Sequence, residues 1–159
     1  MAFLYTIITL VLIFDFINGF HDSANSIATV VSTKVLSPIA AVSLAAIFNF
    51  LAFLIFPLKV ATTIGKGVIN PDIITLNLIA AAVTAAIIWN LMTWWWGLPS
   101  SSSHTLVGGL VGAAVAGHGW GSVVYAGVFK IAVFIVVAPV LGMIISYFIL
   151  VVVIQIVKK

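Results

Sequence analysis

Four acid and amide side chains recur at helical spacing inside the apolar first stretch of the chain: Asp15, Asn18, Asp22 and Asn25. Residues three, four or seven apart share one face of an α-helix, so these four are predicted to form one oxygen-rich stripe. An ionisable group at the centre of a membrane span costs at least about 2.5 kcal/mol, which makes a functional role the first hypothesis. Carboxylate, amide and backbone carbonyl oxygens suit a hard cation, with Na⁺ possible at Asp22. The alternative is polar contacts between packed helices.

A second polar group occurs in the segment PSSSSHTLVGGLVGAAVA, residues 99–116. Hydroxyl groups beside the free N–H groups and positive dipole of a helix start can bind an oxyanion such as phosphate without any Lys or Arg. The candidate phosphate ligands here are Ser101, Ser102, Ser103 and Thr105, and Pro99 is predicted to mark the helix start. The alternative is an ordinary capped hairpin. The small residues Gly108, Gly109, Gly112, Ala113 and Ala116 are predicted to be packing contacts.

Two histidines accompany these groups as candidate proton-linked residues, His21 and His104. His21 is equally consistent with a boundary residue. Ser100 and His104 stand four apart and could in principle form a hydrolase pair on one helix face. Since the chain has no Gly-x-Ser-x-Gly turn and the neighbouring hydroxyls are equivalent candidates, no enzyme activity is predicted.

The composition restricts the class of protein. Of the 159 residues, 64% are hydrophobic and only 6% are charged, and the mean hydropathy is +1.38. Soluble domains carry about 25% charged residues, so this chain is predicted to be a multi-pass integral protein of the cell (inner) membrane. The first apolar run has no obvious small-residue cleavage site and is not interpreted as a signal peptide. Without cysteine there is no redox information, and six scattered lysines give no basic run for nucleic acid.

The predicted fold is all-α, with about four transmembrane helices and a re-entrant helical hairpin. The first helix is expected to break at Asn18–Gly19, with Ser23 or Ser26 capping its second piece. A turn over residues 117–121 would place His118 in solvent, and Pro139 would kink the last span. The predicted elements are the broken helix 1–33, a span 38–56, a loop 57–72, a span 73–96 ending in three interfacial tryptophans, the serine-bearing hairpin 98–130 and a span 131–157.

Four crossings place both termini on one side of the membrane. Four lysines are predicted on the side of the termini and two on the opposite side: Lys59, Lys66, Lys158 and Lys159 against Lys34 and Lys130. Because loops on the inner side of a membrane carry more positive charge, this distribution favours termini on the inside. Such a small bias also permits insertion in both orientations. A cation stripe beside an anion-binding helix start indicates ion-coupled anion transport. Moving an anion inward against a negative-inside membrane potential costs about 2.3 kcal/mol per charge per 100 mV, and a co-transported cation cancels this cost. No cofactor is expected besides Na⁺ or H⁺ as the coupling ion.

The segments DFINGFHDSANSIATVVSTKVLSP, residues 15–38, and PSSSSHTLVGGLVGAAVA together resemble the inorganic phosphate transporter (PiT) family. The resemblance extends over essentially the whole chain and implies a phosphate symporter driven by Na⁺ or H⁺. It implies that Asp22 and Asn25 belong to the cation and phosphate site, with residues 101–105 on its hairpin side. Many members have Asn where this chain has His21, which is interpreted as a bacterial subtype.

Length is the main departure from the family pattern, which resembles two inverted repeats with one broken helix and one serine hairpin each. This chain contains one of each and resembles the N-terminal repeat, so it is predicted either to be the N-terminal half of a longer or split transporter or to pair with another copy. A second repeat, either another copy in antiparallel orientation or a separate half, is the expected protein partner. The alternatives are a non-transporting fragment or regulatory membrane subunit, and transport of another oxyanion such as sulfate.

Overall fold

The fold is all-α, as a computed structural model describes it for residues 1–55 and 67–158. Five α-helices occur in these ranges: α1 (Ala2–Ser32), α2 (Pro38–Ile55), α3 (Leu76–Trp95), α4 (Ser102–His118) and α5 (Tyr125–Val157). Of these, α1, α2, α3 and α5 are long and apolar enough to cross a membrane. This agrees with the predicted number of spans. The predicted end of the second span at residue 56, most of the predicted loop, and Lys59, Lys66 and Lys159 lie outside the described residues.

The chain divides into two compact units, Met1–Val123 and Val124–Lys159. The first unit contains α1 to α4. The second consists of α5, a helix of 33 residues in which no residue is buried. An apolar helix of about 50 Å without a buried residue is typical of a segment that lies in lipid or packs against other helices.

The first helix is continuous, and the predicted break at Asn18–Gly19 is wrong. Asn-Gly is a turn signal, but one glycine in a helix costs only about 1 kcal/mol, which a packed apolar face outweighs. The hydroxyls of Ser23 and Ser26 do not cap a second helix. They donate to the carbonyls of Phe20 and Ser23 in the preceding turn, at 3.0 and 2.9 Å. With 31 residues, α1 is about 46 Å long, so it must tilt or extend beyond a hydrocarbon core of about 30 Å.

The core of the first unit lies between α1 and α3, where Phe14 packs with Val83 and Ala86. Further along both helices, the rings of Phe20 and Trp94 meet edge-on with centroids 5.5 Å apart. Because contacts advance in the same direction on both helices, α1 and α3 are parallel.

The helices α3 and α4 pack antiparallel at close range. The side chain of Thr75 caps α3 by accepting from the N–H of Leu78 at 3.2 Å. At Gly109 on α4, an added Cβ would lie 2.5 Å from the carbonyl oxygen of Ala82, so this position requires glycine. Gly108 and Gly112 have nothing within 4 Å of an added Cβ, so the predicted packing role holds at Gly109 and not at these two.

The turn after α4 is located at Gly119, whose φ of 76° is the left-handed conformation that glycine adopts readily. A 3₁₀ turn, Trp120–Ser122, follows, and the N–H of Asn70 donates to the carbonyl of Ser122 at 2.9 Å. The exposed His118 agrees with the prediction. The predicted boundary between residues 130 and 131 does not exist, since α5 runs unbroken from Tyr125 through Pro139 to Val157. No glycine or proline separates Gly127 from Pro139, so nothing local ends the helix there.

Candidate ligand-binding site

The polar stripe of α1 follows directly from the continuity of the helix. Asp15, Asn18, Asp22 and Asn25 share one face beside the buried face of α1. Asp15 and Asn25 are exposed, Asn18 is half-buried, and the Asp22 side chain is 50% exposed. Since the helix does not break, its carbonyls in this region are used internally. The stripe therefore offers side-chain oxygens only, and the predicted contribution of freed backbone carbonyls is wrong.

His21 occupies the buried face next to this stripe and is only 7% exposed. Its Nδ1 lies 3.9 Å from Oδ1 of Asp22, which is too long for a hydrogen bond. His21 therefore belongs to the helix interface, and it lies next to the exposed carboxylate of Asp22 without a hydrogen bond to it.

A groove of about 650 Å³ lies between α3 and α4. Four polar side chains line it: Ser100, Ser101, His104 and Thr105. The remaining wall is made of Trp89 and of small residues on both helices, which are Ala81, Ala85, Gly108, Gly109, Gly112 and Ala113. Small side chains on both helices leave room at their interface, so the groove can admit a ligand the size of an oxyanion.

The polar end of this groove is the start of α4. The helix begins at Ser102, three residues later than Pro99, and Ser101 is its N-cap without a side-chain cap hydrogen bond. The hydroxyl of Thr105 donates to the carbonyl of Ser101 at 3.0 Å and lies 3.4 Å from that of Ser100. The first N–H groups of a helix have no partner within it, so they carry partial positive charge that favours an anion.

The four serines of residues 100–103 face different directions because Ser100 and Ser101 precede α4, whereas Ser102 and Ser103 begin it and are about 100° apart around its axis. Ser100 and Ser101 line the groove, Ser102 is buried, and Ser103 is exposed but is not among the groove residues. The structure thus brings Ser101 and Thr105 of the predicted phosphate ligands together. Ser100 lies outside α4, and its hydroxyl is near Thr105, so the helical Ser100–His104 arrangement of a hydrolase does not form.

The groove and the α1 stripe are separate features of the first unit. All groove-lining residues belong to α3, α4 or the turn between them, and neither Asp22 nor Asn25 is among them. The five predicted phosphate ligands and the cation stripe therefore do not converge on one cavity within residues 1–55 and 67–123.

Sequence reasoning missed Asn90, a polar residue in the interior on α3. It is fully buried, and neither its Oδ1 nor its Nδ2 has a hydrogen-bond partner among the described residues. Ser102 Oγ and His21 Nδ1 share this property. The available signal was the amide in the apolar segment IIWNLMTW, since an unpaired polar group in hydrocarbon costs several kcal/mol.

Known proteins resemble this chain closely. A relative from Rhizobium meliloti (strain 1021), a probable low-affinity inorganic phosphate transporter, is 54% identical over 140 residues, covering 88% of this chain and 42% of the relative. A protein of the same description from Bacillus subtilis (strain 168) is 45% identical over 143 residues, which cover 89% of this chain and 43% of that protein. A solved structure described as the sodium-dependent phosphate transporter matches with a TM-score of 0.88 and 31% identity.

The solved structure is matched over 96% of this chain and 39% of its own length, so the chain spans less than half the length of these proteins. Their descriptions are those of transporters, which excludes the enzyme alternative. The four apolar helices make the chain a multi-pass membrane protein, and the cell membrane is the usual location of such proteins in bacteria. The phosphate transporter family model matches residues 18–159, and the chain therefore belongs to the phosphate transporter family.

Proposed function

We propose that this chain is one half of a cation-coupled transporter of inorganic phosphate. The observation that carries the proposal is the pairing of an exposed carboxylate stripe on α1 with a hydroxyl-lined groove at the start of α4, in a chain of this family. The two features are complementary in charge, one suited to a cation and the other to an anion.

Phosphate binds at the start of α4 in this proposal. Ser101 and Thr105 present hydroxyls to the groove, and the free N–H groups of the first turn donate to the phosphate oxygens. Ser102, Ser103 and Asn25 complete the proposed ligand set. Because these three do not line the same groove, they would reach phosphate only in a different arrangement of the helices or together with a second repeat.

The cation binds at the stripe on α1, with Asp22 as the charged ligand and Asp15, Asn18 and Asn25 supplying further oxygens. A continuous helix provides few ligands at one point, whereas a hard cation takes six or more oxygens. The remaining oxygens would come from the second repeat and from phosphate itself. The sodium-dependent relative favours Na⁺ as the coupling ion. H⁺ is the alternative, with His21 and His104 as the proton-linked groups.

The second repeat is the main missing component. The chain spans 42% of the Rhizobium meliloti relative, so a further segment of similar size is needed to reach the length of that protein. A second copy in antiparallel orientation or a separately encoded half would supply it. Inverted repeats create a substrate site at their interface near the membrane midplane, and movement of one repeat against the other gives alternating access.

The test is uptake of radiolabelled phosphate into proteoliposomes that contain this chain, under an inward Na⁺ or proton gradient. Asp22→Asn removes the charge of the proposed cation ligand and is expected to lower uptake at least about tenfold, since a hydrogen bond or ion contact to a charged group contributes about 1.5–3 kcal/mol. Asp72→Asn is the matched control, because Asp72 is an exposed acid in a 3₁₀ turn outside the spans.

Ser101→Ala tests the phosphate side of the same proposal, with Ser32→Ala at the exposed end of α1 as its control. Ser101→Ala is expected to raise the phosphate concentration for half-maximal uptake while Ser32→Ala leaves it unchanged. Full uptake by both Asp22→Asn and Ser101→Ala would contradict the proposed site. Folded protein without any uptake would favour the non-transporting fragment, and competition by sulfate equal to that by phosphate would favour a broader oxyanion transporter.

A further inference from the structure

Three buried side chains on three different helices carry polar atoms with no hydrogen-bond partner in the part of the chain that the structure describes. They are His21 on α1, Asn90 on α3 and Ser102 on α4, which are 7%, 0% and 1% exposed. The unpaired atoms are His21 Nδ1, both side-chain polar atoms of Asn90, and Ser102 Oγ. Buried polar atoms are almost always paired in native proteins, so four such atoms in one helical unit require a partner.

Helix packing places His21 and Asn90 at the same level. Ile7, Phe14 and His21 recur every seven residues on the buried face of α1. Phe14 packs against Val83 and Ala86 of the parallel helix α3. Seven residues further along α1, His21 occupies the position that corresponds to Phe14. Seven residues further along α3, Asn90 and the buried Thr93 correspond to Val83 and Ala86, so His21 lies at the level of Asn90 and Thr93.

The contact between α3 and α4 places Ser102 at this level too. Gly109 of α4 lies directly against Ala82 of α3. The two helices are antiparallel, so seven residues back along α4 correspond to seven residues forward along α3. Seven residues from the contact between Gly109 and Ala82, Ser102 of α4 therefore lies at the level of Trp89 of α3. Trp89 directly precedes Asn90 in the sequence.

We propose that His21, Asn90 and Ser102 form one buried polar layer that binds an internal water molecule. Water both donates and accepts, and buried waters typically make about three hydrogen bonds to otherwise unpaired polar groups. The Asn90 amide offers a donor and an acceptor, the Ser102 hydroxyl serves as either, and His21 Nδ1 donates or accepts according to its tautomer. A single water molecule can therefore connect all three helices.

The chemistry of the layer disfavours ions. A hard cation needs about six oxygen ligands, and this layer offers two, next to an amide N–H₂ group that points positive charge at the same space. The layer has no Lys or Arg to attract a phosphate anion, and the groove lined by Ser101 and Thr105 does not include His21, Asn90 or Ser102. The layer shares Ser102 with the proposed phosphate ligand set and His21 with the proposed proton-linked groups, but water binding does not depend on the proposed transport activity.

The layer connects the parts of the molecule that carry those candidate sites. His21 adjoins Asp22 in the sequence, and Ser102 is the first residue of α4. A water held by Asn90 between them would fix the start of α4 relative to the α1 stripe. Asn90 is therefore assigned as a positioning residue and the principal ligand of the water.

Nuclear magnetic resonance of the full chain in lipid nanodiscs tests this directly, with ¹⁵N-labelled histidine and asparagine in a deuterated protein. We expect the Asn90 side-chain amide and the His21 imidazole to show nuclear Overhauser cross-peaks to a long-lived water. These cross-peaks should have opposite signs in spectra recorded in the laboratory frame and in the rotating frame. Ser102→Ala removes one of the three ligands of the water and should weaken the cross-peaks, whereas Ser103→Ala, at an exposed position of α4, should leave them unchanged. Asn90→Leu should abolish the His21 cross-peak, while the matched variant Asn77→Leu, at an exposed position of α3, should leave it unchanged.

Two results would overturn the inference. One is a wild-type spectrum in which neither side chain shows a cross-peak to water, and the other is a folded Ser102→Ala variant whose cross-peaks equal those of the wild type. Persistence of the His21 cross-peak in folded Asn90→Leu would also overturn the role of Asn90. Because the wild-type spectrum decides the presence of water by itself, the test holds even if Asn90→Leu does not fold.

Discussion

Gly108 and Gly109 are neighbours on α4 but meet different surroundings. The position of Gly109 brings α4 against the carbonyl of Ala82, whereas an added Cβ at Gly108 would meet open space. The same 100° rotation per residue separates the buried Ser102 from the exposed Ser103. At the scale of single residues, the rotation of the helix therefore decides which member of each adjacent pair packs against a neighbouring helix and which remains exposed.

Gly109→Ala is expected to destabilise the folded chain by about 1–3 kcal/mol, because the new methyl group would push against backbone that cannot rotate away. Gly108→Ala is the matched control and should be neutral or stabilising by up to about 1 kcal/mol, since alanine is the better helix former. Thermal or denaturant unfolding of both variants in the same detergent measures the difference. Equal stabilities of the two variants would contradict the close approach of α3 and α4 at Gly109.

The helices are longer and less interrupted than their breaker residues predict. Helix α1 passes through Asn18–Gly19, and α5 passes through Pro139 without ending. In each case the intrahelical hydrogen bonds on both sides of the breaker outweigh a local cost of about 1–3 kcal/mol. In hydrocarbon this balance shifts further toward helix, because no water is present to satisfy a freed backbone group.

Continuity of α1 can be measured by the distance between two spin labels. Cysteines replacing the exposed Leu12 and Ser26 are 14 residues apart on α1, so a continuous helix places their backbones about 21 Å apart. The chain has no native cysteine to interfere. Pulsed electron–electron double resonance in lipid nanodiscs should give a single narrow distance distribution for this pair.

The matched control for this distance is the pair Leu141 and Gln155, also 14 residues apart and exposed on α5. Both pairs should give the same centre and width. A shorter or much broader distribution for the α1 pair alone would show that the helix breaks near Gly19, in favour of the prediction from sequence.

The chain as a whole spans less than half the length of the relatives described above. It matches the solved transporter over 96% of its own length and 39% of the other chain. Within the first unit, the polar stripe of α1 does not line the groove between α3 and α4. In the proposed transporter, a second repeat would supply additional ligands to both features, which gives a physical reason why one repeat would not suffice.

We expect transport-competent chains to be paired. Single-molecule photobleaching of a fluorescently labelled chain in proteoliposomes that accumulate phosphate should show two steps. In intact cells, an Ala2→Cys variant should react from outside with an impermeant maleimide in about half of its copies if the two chains are antiparallel. A chain that bleaches in one step and still accumulates phosphate would contradict the need for a second repeat, whereas a folded, inactive monomer would indicate a separate missing half.

The sequence by itself determined the class of protein, the number of apolar spans and the family. An apolar run of about 20 residues has few alternatives to a transmembrane helix, and motifs such as residues 19–26 and 99–105 depend only on local order. Local order also determines which side chains share a helix face, so the stripe from Asp15 to Asn25 could be predicted.

Only the tertiary structure decided which polar residues are buried and which helices meet. Asn90 and Ser102 became interior groups because α3 packs against both α1 and α4, and no local pattern specifies those contacts. The break expected at Asn18–Gly19 was decided in the same way. Packing of Phe14, Ile17 and His21 along one face keeps α1 continuous, since a break would forfeit those contacts.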